Sequence, residues 1–116
     1  MDDKTAETLL DEWKDRLGLQ EWRIMLCPCC KPEDMDGEGV GHTEWQEVIK
    51  VAKIMIIDEA YCEDFIIPFD FEKTLVHELL HLKTCLISDT KNVLQERIAH
   101  QLIDDLARAL VDAKRS

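Results

Sequence analysis

Basic side chains are scarce in this chain: 14 lysines and arginines stand against 25 acids, for a net charge of −11. Apart from Lys114-Arg115 the bases do not cluster, so the electrostatic footprint of a polyanion-binding surface is missing and nucleic acid is not expected as a partner. Long apolar runs are missing too. Nothing approaches the ~20 consecutive apolar residues of a bilayer span, so a membrane helix is not expected. The opening Met1-Asp2-Asp3-Lys4-Thr5 offers no basic stretch leading into an apolar one, and the expected location is the cytoplasm. The five cysteines are odd in number and irregularly spaced, which suits free thiols in a reducing compartment. Cys27 and Cys30 have the gap of a zinc knuckle but no second pair, only lone Cys62 and Cys85, so partly buried thiols are expected. The sequence also lacks internal repeats and low-complexity segments. Its 116 residues suffice for one domain, 1–116, with a core of its own.

The patterning that is present points to an α+β domain. Ala6, Leu9, Leu10, Trp13 and Leu17 recur at helical spacing, and Gly18 is placed to end a helix over about 4–17. Trp22, Ile24 and Leu26 alternate, which predicts a strand over 21–26. Residues 28–41 hold two prolines and three glycines and read as an exposed loop. The β-branched stretch 42–57 supplies one or two further strands. After a connection over 61–70, Asp70 is placed to cap a helix that begins at Phe71 and runs to about Ile87. Ser88-Asp89-Thr90 makes a break, and a last helix over about 91–113 follows. Its expected core stripe is Leu94, Ile98, Leu102, Leu106 and Leu110.

The chain has only four histidines, and two of them flank a glutamate in His77-Glu78-Leu79-Leu80-His81. At i and i+4 the imidazoles project from one helical face, close enough to hold one divalent ion. Glu78 lies about 100° round the helix, where a carboxylate reaches water at the ion and not the ion itself. Imidazole ligands favour zinc, and a catalytic zinc takes three protein ligands and leaves a fourth position open. A metzincin continuation is ruled out, because Thr84 and Ile87 stand where its glycine and third histidine would be. The third ligand must come from elsewhere. If the last two helices form an antiparallel hairpin, equal rise per residue brings the level of residue 79 beside about residue 99. That favours His100, with Glu96 one turn away as the alternative.

The run Thr74-Leu75-Val76-His77-Glu78-Leu79-Leu80-His81-Leu82, followed by a helix reading from His100 through Leu106-Ala107 to Leu110, resembles the minimal zincin-like metallopeptidases of phages and prophages. It is more distantly similar to the peptidase domain that cleaves phage and stress-response repressors. In that larger group the second helix carries a glutamate ligand a short distance before a Phe-Ala or Leu-Ala pair. Laying Leu106-Ala107 on the pair puts His100 at the ligand position, with histidine in place of glutamate. The resemblance extends to Trp22-Arg23-Ile24 and to Gly39 through Trp45, and so spans most of the chain. It implies a zincin-like fold: an N-terminal helix, a small and mostly antiparallel sheet, and a hairpin of the motif helix with the C-terminal helix.

The chemistry implied is peptide hydrolysis with Zn²⁺ held by His77, His81 and His100, Glu78 as general base, and a peptide or protein substrate. Asp104, one turn beyond His100, is a candidate to orient a ligand histidine. His42 and Tyr61 are candidate donors to a developing oxyanion. The strand over 52–57, or the one beside it, is the expected docking edge for substrate. The competing expectation is a non-catalytic metal-binding module of the same fold that acts as a protein-binding or regulatory partner. Glu78 separates the two, because a structural metal has no use for a base beside it.

Overall fold

The computed structural model describes residues 1–35, 39–85 and 92–116. Local signals set the helix ends. Asp2 accepts a hydrogen bond from the Thr5 amide at 2.7 Å, which starts α1 (Asp3–Leu17), and Gly18 ends it in the left-handed region at φ 68°. Asp70 accepts from the Lys73 amide at 3.1 Å at the head of α2 (Phe71–Lys83). Asn92 does the same for Gln95 at the head of α3 (Val93–Arg115), also at 3.1 Å. α2 ends at Lys83, short of the expected end near Ile87, with the Thr84 amide donating to the Leu80 carbonyl; the expected break at Ser88-Asp89-Thr90 lies outside the described residues. Among the described residues no helix is long and apolar enough to cross a membrane.

Three strands form one mixed sheet: β1 (Arg23–Cys30), β2 (Gly41–Gln46) and β3 (Val51–Ile57), in the order β1-β3-β2. β2 and β3 are an antiparallel hairpin with Thr43 opposite Ile54, whereas β1 pairs with β3 in parallel, Leu26 opposite Ile54. The expectation of a mostly antiparallel sheet is therefore corrected to one pairing of each kind. The chain leaves β1, passes β3's place and returns through β2, so β1 and β3 end up running the same way. Two local expectations also change. β1 continues through Pro28, which was expected in a loop, because β1 is an edge strand whose outer side requires no amide and whose register slips between Cys27 and Cys30. Val48 and Ile49, expected in a strand, lie exposed in the β2–β3 turn.

α2 is the centre of the fold, in contact with the sheet, α1 and α3. Leu75, Val76 and Leu79 are wholly buried, and the core extends through Trp13, Leu19, Trp22, Ile54 and Ile56. At ~25 cal/mol per Å² of apolar surface, such side chains contribute roughly 1.5–3 kcal/mol each. Being enclosed on nearly all sides, α2 also carries Glu72, Thr74, Glu78 and His81 into the interior. A second cluster joins Cys30, Met35, Met55, Ile57 and Cys62 under the loop after β1. Burial pushes the Cys30 and Cys62 thiols up, which suits inert core positions.

On α3 the core stripe is different from the one expected. Ala99, Ile103, Ala107 and Val111 are buried, while Leu94, Ile98, Leu102 and Leu106 face outward. Leu110 alone of the expected row packs against the core. The alanines let α3 approach α2 closely, which a row of leucines would prevent.

Candidate metal centre

α2 and α3 run antiparallel, and polar pairs mark their register along the seam. Arg115 donates two hydrogen bonds to Asp70, at 2.6 and 3.0 Å, and one to Glu72 at 3.2 Å. Lys73 Nζ lies 3.1 Å from Asp112 and His77 Nδ1 3.4 Å from Asp104. Continuing by equal rise along both helices brings His100 opposite His77 and His81. The three side chains offer ligand atoms that all lie within 4.8 Å of one another, a group that could hold a metal ion. The ring centroids are 5.1 Å apart for His77 and His81, 4.9 Å for His81 and His100, and 6.4 Å for His77 and His100. Glu96, the alternative third ligand, lines the same cleft but lies outside this group.

The donor chemistry suits a borderline divalent cation. Burial, with His77 and His100 alongside, lowers His81 from 6.5 to about 4, so its imidazole is neutral and its lone pair available. Engagement of His77 Nδ1 by Asp104 leaves Nε2 as the nitrogen free for an ion. Asp104 is itself held by Arg108 at 3.1 Å.

Glu78 sits beneath these imidazoles with an unexpected partner. Thr43 Oγ1 on β2 donates to Glu78 Oε1 at 2.6 Å. Two residues earlier on the same strand face, Gly41 leaves the room the carboxylate occupies: a Cβ there would come within 2.6 Å of Glu78 Oε2 and 3.0 Å of its Cγ and Cδ. Burial pushes the Glu78 carboxyl above the ordinary carboxylate range, opposed by the Thr43 hydroxyl and by the nearby His77, His42 and His100. Neither Thr43 nor Gly41 was singled out in the sequence. The available signal was their i, i+2 spacing in the strand just ahead of the motif, which places both on one face.

The site opens into a cleft of about 740 Å³, within the ~300–1,000 Å³ range of small-ligand sites. α2 forms its floor, β2 and α3 its walls, and Phe65, Ile67 and Phe69 an apolar rim. His42 lines the cleft and contacts Glu44 at 3.5 Å. Tyr61 does not: it is half exposed in the turn Glu59–Tyr61 that follows β3, so its candidacy as an oxyanion donor is dropped. Cys27, Cys29 and Cys30 belong to no metal-holding group among the described residues. No family model matches the sequence, and no curated protein or solved structure is detectably similar to it. The site's own geometry must carry the functional reading.

Proposed function

We propose that this chain is a zinc-dependent peptidase of zincin-like fold. The observation that carries the reading is the burial of Glu78 beside three converging imidazoles, gripped by a hydroxyl and, among the described residues, in no ion pair with a lysine or arginine. Burying a carboxylate in this way costs several kcal/mol, and a metal site kept for structure alone has no need of it. Three imidazole nitrogen donors suit zinc better than the harder magnesium or calcium. His77, His81 and His100 would hold the ion, which supplies Lewis acidity at the scissile carbonyl and acidifies water beside it.

The protein's own groups account for the rest. The Glu78 oxygen not held by Thr43 takes a proton from the attacking water as the C–O bond forms, then passes it to the leaving nitrogen as the C–N bond breaks. Its raised affinity for protons suits both halves of that transfer. Asp104 keeps His77 in one orientation and tautomer. β2, an edge strand on the cleft, would take an extended substrate by backbone pairing. β3 cannot do so, because it is paired on both sides.

Two measurements decide the reading. Metal analysis of the purified protein should find one zinc per chain, lost in His77→Ala. Incubation with a broad peptide library should show cleavage by wild type that Glu78→Gln abolishes. Equal cleavage by both proteins, or none by zinc-loaded wild type, would leave a metal-binding module without peptidase activity.

A further inference from the structure

Three rows of side chains at i±4 spacing run along α3. The row His100, Asp104 and Arg108 faces the cleft. The row Ala99, Ile103, Ala107 and Val111 faces the core. The third row is Leu94, Ile98, Leu102 and Leu106, 65, 48, 56 and 50 % exposed, and none of the other described residues covers it. Leu102 is rotated about 100° from Ile103 and still further from the cleft row. A partner seated on this ridge would therefore leave the cleft open.

We propose that two copies of this chain associate through the ridge on α3, with the Leu102 side chains at a twofold axis. Three observations select a second copy as the occupant. Within the ridge Ile98 and Leu106 lie one turn to either side of Leu102, so a twofold axis there sets Leu102 against itself and pairs Ile98 with Leu106; Leu94 lies beyond this symmetric centre, since Leu110, its counterpart, packs against the core. Ridges of i±4 type interdigitate with each other at a crossing angle of about −50°, the commonest helix-packing geometry. Ile98 of one copy then meets Leu106 of the other.

Charge is the second argument. The chain carries −11 overall, which opposes self-association over most of its surface. Within α3, however, four acids are matched by four bases, so the whole excess lies outside this helix. Two copies meet here with the least repulsion.

Area is the third. The four exposed side chains present roughly 400 Å² of apolar surface, comparable to the largest patches that monomers expose. That is about half of the ~800 Å² per partner of a standard interface, and the remainder would have to come from the polar flanks of the helix.

The proposal holds whether or not the metal site is catalytic, and its test is independent of any substrate. Sedimentation equilibrium of the full chain, up to about 100 µM, should yield twice the 13.5 kDa chain mass. Leu102→Glu, which sets two carboxylates against each other at the axis, should weaken association by about 100-fold or more. Its far-UV circular dichroism should be unchanged, because the position is half exposed. Val48→Glu, at the exposed turn between β2 and β3, should leave the dimer intact. A single-chain mass for wild type throughout, a dimer that survives Leu102→Glu, or one that Val48→Glu dissociates would each overturn the proposal.

Discussion

Two glutamates on α2, six residues apart, are both buried, and their surroundings assign them opposite tasks. Glu72 accepts from Trp13 Nε1 at 2.7 Å and pairs with Lys114 and Arg115. Burial alone would raise its pKa, but Lys114, Trp13 and Arg115 together hold it below the ordinary value. Glu78 has a neutral hydroxyl for its hydrogen bond and titrates upward. One carboxylate is charged and fastened, and it ties α1, α2 and the end of α3 into one register. The other holds its proton more readily and faces an open cleft. Burial, then, does not assign a function to an acidic residue; what it is paired with does.

The sharpest way to break this contrast is to neutralise each glutamate in turn. Glu78→Gln should cut peptide hydrolysis by about 10²–10⁴-fold while changing unfolding free energy by less than about 1 kcal/mol, because the amide relieves a buried carboxylate. Glu72→Ala should cost about 3 kcal/mol in denaturant unfolding, since it strands the Trp13 N–H and two cations. If Glu78→Gln proves the less stable variant, the division of tasks fails.

Acid titration of the metal-free protein separates the two regions by pH. His81 has its folded pKa depressed from 6.5 to about 4, so the unfolded chain binds more protons in that window. The His81 contribution to stability should fall by up to a few kcal/mol as pH drops from about 6.5 toward 4, partly offset by Glu78, whose raised folded pKa adds stability as pH falls through it. Glu72 and Asp70 also have depressed folded values, from 4.5 and 3.8. Their contribution is present above those values and is lost only as pH falls below them. His81→Gln should therefore remove the first loss and spare the second, as read by thermal melts across pH.

The smallest effects concern the grip of β2 on Glu78. Gly41→Ala should displace the carboxylate and lower turnover by about 10-fold or more, because misplacement of a reacting group by a fraction of an ångström is costly. Thr43→Val should lower it by about 10-fold, the worth of one hydrogen bond to a charged group, and Thr43→Ser should restore it. Zinc stoichiometry should be unchanged in all three.

Much of this was legible in the sequence because it is set locally. The cap at Asp70, the stop at Gly18 and the facing of His77 and His81 follow from neighbours a few residues away. His100 could be placed beside them because rise per residue is the same in any two α-helices. Tertiary register was not legible. The Thr43–Glu78 contact depends on how β2 lies across α2, and the parallel β1–β3 pairing on the path of the chain around β3. The core stripe of α3 differs from the expected one because its row of leucines is the more apolar of two candidate rows. Interhelical distance chose the smaller row, and no periodicity encodes that distance.

Pro28 places a limit on how the sheet can be shared. A flat, unpaired strand edge recruits other strands indiscriminately and leads to aggregates. In β1 that edge is blunted by a residue with no amide and by the slip in pairing between Cys27 and Cys30. β2, the opposite edge, borders the cleft, with Phe65 and Ile67 on its rim. Of the two sheet edges, the one left unblunted is thus the one beside Glu78, where the proposed substrate would pair.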